Sequence, residues 1–102
     1  MQIIQSKYDL KVVPADTIVN GFFVIKNVGN STIMYKEVFT ECRCTNLNIE
    51  KGDSIMAGKQ DTIYFELNTE GMESGESIKK TIRIVTNTTP ELHRFFIFGK
   101  IK

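Results

Sequence analysis

Seven stretches of the chain alternate apolar and polar residues with a period of two, which is the pattern of a β-strand with one buried face. β-Branched and aromatic residues dominate the apolar positions, and no window repeats apolar residues at helical spacing for more than a turn. Turn-forming Gly, Pro, Asn, Asp and Ser cluster between the stretches. The pattern predicts an all-β fold, an immunoglobulin-like antiparallel β-sandwich of about seven strands. The predicted strands are Ile3–Val13, Ile18–Asn27, Ile33–Phe39, Glu41–Ile49, Thr62–Asn68, Ile78–Asn87 and His93–Ile101.

Alternation also predicts which side chains face the interior, because successive side chains of a strand point to opposite faces. The inward parity changes between Tyr35 and Val38, which predicts a β-bulge near Lys36 and Glu37. On the other strands the predicted inward residues are Val19, Phe23, Ile25, Ile63, Phe65, Leu67, Ile82 and Ile84.

Length and charge limit the classes of protein to consider. The 102 residues suit one domain spanning 1–102, and 41% hydrophobic with 25% charged residues is typical of a folded protein. Thirteen Lys and Arg against twelve Asp and Glu leave no net field to hold a nucleic acid. No run approaches the roughly 20 apolar residues of a membrane span, and the first 20 residues lack the apolar core of a secretory leader. Either the protein is cytosolic or a leader precedes Met1 in the precursor.

The sequence shows no catalytic constellation. A nucleophilic thiol needs a base within hydrogen-bonding reach, and His93 is the one histidine of the chain. No phosphate-binding glycine loop, Gly-x-Ser-x-Gly or His-Glu-x-x-His motif is present. We therefore expect a protein that is not an enzyme and carries no cofactor, with His93 an ordinary surface or strand-end residue.

Cys42 and Cys44 are the most unusual pair of residues. In an extended strand, Cα atoms two residues apart are separated by about 6.6 Å, at the far edge of disulfide reach. A bond between them would need a bend in the chain. Three alternatives remain open: buried structural thiols, a local disulfide that acts as a redox pair, and a Cu(I) site. Zinc would need about four ligands, which the chain does not supply.

The last strand presents a second candidate surface. If Phe95, Ile97, Gly99 and Ile101 face the core, the alternate residues face outward. Two aromatic rings between two cations are typical of a contact surface. The alternative is that a loop, or one of Met34, Met56 and Met72, covers the rings. We expect binding through the outer face and the edge of this strand, and the outward residues proposed as a binding surface are Arg94, Phe96, Phe98 and Lys100.

The order of several short motifs resembles the DUF1573 family, a bacterial family of uncharacterised function, over roughly residues 18 to 102. The family commonly has Cys-Gly-Cys where this chain has Cys42-Arg43-Cys44, so Arg43 lacks the conformational freedom of the family's glycine. The residues that carry the resemblance are 23–30 (FVIKNVGN), Val38, 42–45 (CRCT), 55–58 (IMAG), 63–65 (IYF), 86–87 (TN) and 95–101 (FFIFGKI).

The resemblance implies a fold related to the major sperm protein and pilus-chaperone sandwiches, and an exported protein of the cell envelope or periplasm, with a leader or lipid anchor upstream of this chain. The expected function is a non-enzymatic binding or structural module that binds a protein partner or self-associates. The alternative is the thiol site at Cys42 and Cys44, as a redox pair or Cu(I) site.

Overall fold

The computed structural model describes all 102 residues, which form nine β-strands and no helix. With no helix in the chain, no helical segment is available to cross a membrane. In chain order the strands are β1 (Gln2–Gln5), β2 (Lys7–Val13), β3 (Ile18–Lys26), β4 (Ile33–Thr40), β5 (Thr45–Leu47), β6 (Ser54–Ile55), β7 (Gln60–Asn68), β8 (Ser77–Thr86) and β9 (Leu92–Ile101).

Two sheets pack face to face, which confirms the predicted immunoglobulin-like sandwich. The first has four strands in the order β1-β3-β7-β5, and the second has five in the order β2-β9-β8-β4-β6. Fifteen buried apolar side chains form the core between them. The predicted inward residues lie there, with Val19 at the margin and the other seven buried. The predicted bulge is also present, as a register shift between Tyr35 and Glu37.

Two predicted strands differ from the structure. The first, Ile3–Val13, divides at Ser6, so that β1 joins the four-stranded sheet and β2 joins the other. The fourth, Glu41–Ile49, shrinks to β5 because residues 41–44 bend into a turn. One short strand that alternation did not predict, β6, pairs with the start of β4.

The C-terminal strand β9 is an inner strand of its sheet. β2 runs parallel along one side of it and β8 runs antiparallel along the other. Gly99 allows β2 to lie close, because a Cβ atom there would be 3.0 Å from Cβ of Leu10 and 3.2 Å from the carbonyl oxygen of Lys11. β9 therefore has no free edge, so the expectation that a partner binds at the edge of this strand is wrong, and only its outward face is available.

One buried amide ties the two sheets together at the β3–β4 turn. Asn27 is 1% exposed, and its Nδ2 donates hydrogen bonds to the carbonyl oxygens of Ser31 (2.7 Å) and Ile55 (2.9 Å). Its Oδ1 accepts one from the backbone N–H of Gly29 at 3.1 Å. Since Asn27 follows β3 and Ile55 belongs to β6, this side chain links the four-stranded sheet to the five-stranded one.

Candidate interaction surface

The outward face of the five-stranded sheet brings together all four residues predicted for a binding surface. Arg94, Phe96, Phe98 and Lys100 alternate along β9 with the inward residues Phe95, Ile97 and Ile101, which are at most 1% exposed. We call the outward side chains of β2, β9, β8 and β4 the basic face. Its members by register are Lys7, Asp9, Val12, Glu37, Phe39, Lys79, Thr81, Arg83, Val85, Leu92, Arg94, Phe96, Phe98 and Lys100.

Phe96 and Phe98 are half-buried rather than fully exposed on this face. Their rings stack with centroids 6.2 Å apart and planes 20° from parallel. Neighbouring strands flank them, since Phe96 lies between Lys7 and Thr81, and Phe98 between Asp9 and Lys79. Of the three methionines considered as covers for these rings, Met34 and Met56 are 48% and 66% exposed, and Met72 packs against the core. The two rings thus form a shallow apolar ridge between basic side chains.

Beside this ridge, two arginines face each other across the β8–β9 ladder. Arg83 is the register partner of Arg94, and both side chains are exposed. Directly opposed side chains of an antiparallel pair have Cβ atoms about 4.5–5.5 Å apart, so two like-charged side chains are neighbours here, an arrangement that costs some stability. The guanidinium carbon of Arg83 lies 5.9 Å from the ring centroid of Phe39, within the range of a cation–π interaction.

A depression of about 370 Å³ adjoins the arginine pair. It is lined by Phe39, Arg83, Val85 and Leu92, so its wall is apolar except for one guanidinium. Phe39 and Leu92 are 44% and 38% exposed, and together with Val85 they form a contiguous apolar patch that no other element covers. The depression can accept one aliphatic side chain next to a pair of positive charges.

Five cations of the basic face, namely Lys7, Lys79, Arg83, Arg94 and Lys100, form no ion pair. The two ion pairs of the structure join Lys36 to Glu91 and Lys51 to Glu37, each at 3.1 Å.

The acidic groups near the basic face have partners of their own. Besides Glu37, Asp9 accepts a hydrogen bond from the backbone N–H of Lys11 (2.8 Å), and Glu41 accepts one from that of Thr81 (3.2 Å). Because the five cations outnumber the two carboxylates on this face, Asp9 and Glu37, the face is positively charged although the chain carries a net charge of only +1.

Sequence reasoning missed the part of the surface that lies on β8 and β4. Arg83 lies between the predicted inward residues Ile82 and Ile84, so alternation implies that it faces solvent. Consecutive strands pair in most sheets, so β8 could be expected beside β9, but the register that opposes Arg83 to Arg94 could not be predicted. The predicted bulge already implied that Phe39 faces outward, next to an inward Val38, but its place opposite Arg83 depends on the pairing of β4 with β8, which are far apart in the chain.

Cys42 and Cys44 lie at one end of the sandwich, in the turn between β4 and β5. The turn brings their Cα atoms to 5.2 Å, and the two sulfurs are bonded as a disulfide. Both residues are half-buried, and the backbone N–H of Cys44 donates to Sγ of Cys42 at 3.2 Å. The predicted bend is thus present, and the pair is closed rather than two free thiols.

His93, which was expected to be a surface or strand-end residue, is the second residue of β9 and is buried, with 9% of its surface exposed. It occupies the inward side of β9, opposite Ile84. Its Nε2 is 3.2 Å from Oγ1 of Thr86 and 3.0 Å from Oγ1 of Thr88. Burial lowers the pKa of His93 below its usual value of 6.5.

A second buried polar contact crosses the interior. The hydroxyl of Tyr35 donates a hydrogen bond of 2.7 Å to Oδ2 of Asp61, and burial together with this carboxylate raises the pKa of Tyr35. No group of three or more His, Cys, Asp or Glu side chains is arranged to hold a metal ion.

Comparison with known proteins places the chain in a family and a fold. The family described as "Protein of unknown function (DUF1573)" matches residues 1–101. No protein with a curated description matches the sequence.

Among solved structures, the PapD-like domain 7 of human CEP192 is similar over 99% of this chain and 84% of its own, at 6% identity and a TM-score of 0.74. A protein of unknown function from Porphyromonas gingivalis W83 is similar over 94% of this chain and 44% of its own, at 15% identity and a TM-score of 0.76. The secreted serine protease VesC from Vibrio cholerae has 15% identity and a TM-score of 0.71, and the chain covers only 23% of its length. At these identities the similarity concerns the fold.

Proposed function

Because the chain belongs to the DUF1573 family, whose function is unknown, we propose its function from its surface: it is a non-enzymatic module that binds a protein partner through the basic face. The observation that carries this proposal is the stacked ridge of Phe96 and Phe98 beside an uncovered apolar depression, on a face with five unpaired cations. Aromatic and arginine side chains are the residues that most often dominate binding energy in protein interfaces.

Two observations support an exported protein of the cell envelope. A half-buried disulfide persists in oxidising compartments and is rare in the cytosol. The fold is also similar to part of a protein described as secreted. We propose on this basis that the chain works in the periplasm or at the cell surface. Detection of the native protein in the periplasmic fraction or the cytoplasm decides between the two compartments.

A library of random dodecapeptides displayed on phage tests the binding proposal. We expect enriched peptides to bind the unmodified protein and to lose at least tenfold in affinity for a Phe96→Ser, Phe98→Ser variant. The matched control is Phe22→Ser with Tyr64→Ser, which removes two aromatic rings from the outward face of the other sheet. Peptides that bind both variants equally, or a library with no enrichment, would contradict the proposal.

The disulfide favours a second function, thiol–disulfide exchange. It closes a loop of three residues, so its entropic contribution to stability is only about 1.6 kcal/mol, against about 3 for a loop of 15. In exchange, a thiolate of a dithiol partner attacks one sulfur, forms a mixed disulfide and releases the other cysteine as a thiolate. The partner's second thiolate then resolves the mixed disulfide, and the partner becomes oxidised. Cys42 is the better leaving group because the N–H of Cys44 points at its sulfur.

Native-state reduction tests this second function. We expect millimolar dithiothreitol to reduce the bond without denaturant and to lower the free energy of unfolding by no more than about 2 kcal/mol. A Cys42→Ser, Cys44→Ser variant should be as stable as the reduced protein. A bond that dithiothreitol reaches only after unfolding would contradict exchange. Competition of the reduced protein with a Cu(I) chelator tests whether the two freed thiolates bind Cu(I).

A further inference from the structure

We propose that the partner of the basic face is an acidic peptide segment, in which carboxylates bind between Arg83 and Arg94 and a neighbouring aliphatic side chain occupies the depression beside them. This inference rests on the proposed function and specifies the chemistry of the partner. Of the residues it uses, Arg94 belongs to the four-residue surface predicted from the sequence, whereas Arg83 and Phe39 do not.

The first step of the argument is the opposition of Arg83 and Arg94. Like charges directly across a ladder are destabilising, and in this structure no acidic side chain compensates either of them. A stability requirement alone gives no reason to keep both arginines at these positions. A carboxylate placed between them removes the repulsion and forms charge-assisted hydrogen bonds with one or both guanidinium groups.

The second step is the position of the depression. Its wall includes Arg83 itself together with Phe39, Val85 and Leu92, so an apolar group bound there lies beside Arg83, whose register partner on β9 is Arg94. The guanidinium of Arg83 is held near the Phe39 ring rather than free in solvent. A bound segment therefore needs an acidic residue and an aliphatic residue close together in sequence.

The third step excludes two other occupants, a second copy of this chain and a nucleic acid. A second copy of this chain, docked by the same face, would oppose five unpaired cations to five more. A nucleic acid matches the charge, but it has no aliphatic group for the depression and the net charge of +1 provides no long-range attraction. An acidic peptide with an aliphatic residue satisfies both halves of the site.

Three fluorescein-labelled peptides with identical Gly-Ser flanks test the inference by fluorescence anisotropy. The first contains Glu-Glu-Leu-Glu-Glu, the second replaces each Glu with Gln, and the third replaces Leu with Ser. We expect the first to bind at least tenfold more tightly than the second and at least threefold more tightly than the third. The affinity of the first should fall between 20 and 200 mM NaCl, because its carboxylates meet exposed cations.

Single variants locate the site. Arg83→Gln and Arg94→Gln should each weaken binding of the Glu peptide at least fivefold. Arg94→Gln should leave the melting temperature unchanged or higher, because it removes a like charge, whereas Arg83→Gln also loses the contact with the Phe39 ring and should melt slightly lower than Arg94→Gln. Arg43→Gln is the matched control, because Arg43 is an exposed arginine in the turn between the two cysteines. A stable variant that binds as tightly as the unmodified protein would overturn the inference.

Two outcomes separate this inference from the proposed function. If neutral peptides from the phage library bind through Phe96 and Phe98 but the Glu peptide does not bind, the face is a protein-binding surface and the acidic partner is wrong. If a thymidine oligonucleotide of equal length binds as tightly as the Glu peptide, the face binds polyanions in general, and the inference is again overturned.

Discussion

The two outward faces of the sandwich cover the same core but differ in the side chains they present. On the four-stranded sheet, the central strands β3 and β7 place Phe22 opposite Tyr64 and Asn20 opposite Glu66, with Lys26 as the cation at the end of β3. The ring of Phe22 packs edge-on against the ring of Tyr8, with centroids 5.4 Å apart. That face is close to neutral, whereas the basic face carries five cations without acidic partners. The core alone does not account for this difference in charge between the two outward faces.

The interior that both faces share is the most sensitive place to change. Phe95→Ala removes a ring that is 0% exposed and packs 5.3 Å from Phe23, and we expect it to cost about 3 to 5 kcal/mol of unfolding free energy. Phe96→Ala, one residue along β9, should cost about 1 kcal/mol because its ring is only half-buried. Chemical denaturation of both variants measures the difference. Equal losses would show that Phe96 belongs to the core and is not part of an outward surface.

Removing the Asn27 side chain, which links the two sheets, should have the next largest effect on the free energy of unfolding. Asn27→Ala leaves the carbonyl oxygens of Ser31 and Ile55 and the N–H of Gly29 without their partner, and we expect a loss of about 2 to 3 kcal/mol. Asn30→Ala, an exposed position in the same turn, is the control and should change stability by less than about 0.5 kcal/mol. Denaturant titration gives both values. A loss of similar size in both variants would contradict the role assigned to Asn27.

Double variants of the outward aromatic pairs test whether the two faces of the sandwich differ in function. Replacing Phe96 and Phe98 with Ala, or Phe22 and Tyr64 with Ala, should lower the free energy of unfolding by similar amounts, about 1 to 2 kcal/mol for each double variant. Only the first should weaken binding of the Glu peptide, because only that pair lies on the basic face. Melting curves and anisotropy on the same samples separate the two effects. Weakened binding in both double variants would mean that the two faces do not differ in function.

The smallest effect expected is a dependence of stability on pH. Because burial lowers the pKa of folded His93 below 6.5, the unfolded chain binds more protons than the folded one as the pH falls through that value. Stability should therefore be full above pH 6.5 and decrease toward pH 5.5, and His93→Gln should flatten this dependence. Peptide binding should stay constant over the same range, since arginine, lysine and glutamate keep their charges. A stability profile that is equally steep in the variant would assign the effect to other groups.

Periodicity predicts side-chain direction well and strand partners poorly, and this division explains what the sequence could reveal. Alternation was sufficient to place the rings of Phe95 and Phe96 on opposite sides of β9, but the choice of Phe95 as the inward one came from the resemblance to the family. The break at Ser6 was not predictable, because both flanking segments alternate and the change of sheet depends on pairing with β9, roughly ninety residues later. The shortening of β5 depends on the turn that holds the disulfide. The opposition of Arg83 and Arg94 depends on register, which no local pattern encodes.

The parallel pairing of β2 with β9 also bears on when this chain can complete its fold during synthesis. Lys7 and Tyr8 pair with Phe96 and Ile97, and the N–H of Lys102 donates to the carbonyl of Val13 at 2.8 Å. The ribosome releases the N-terminal strands first, so β2 has no partner in its sheet until nearly the whole chain has emerged. Closing a loop of this length carries an entropic cost that slows folding. During this interval β2 is an unpaired strand, and a holding chaperone or a translocation channel that keeps the chain extended would protect it from pairing with other chains.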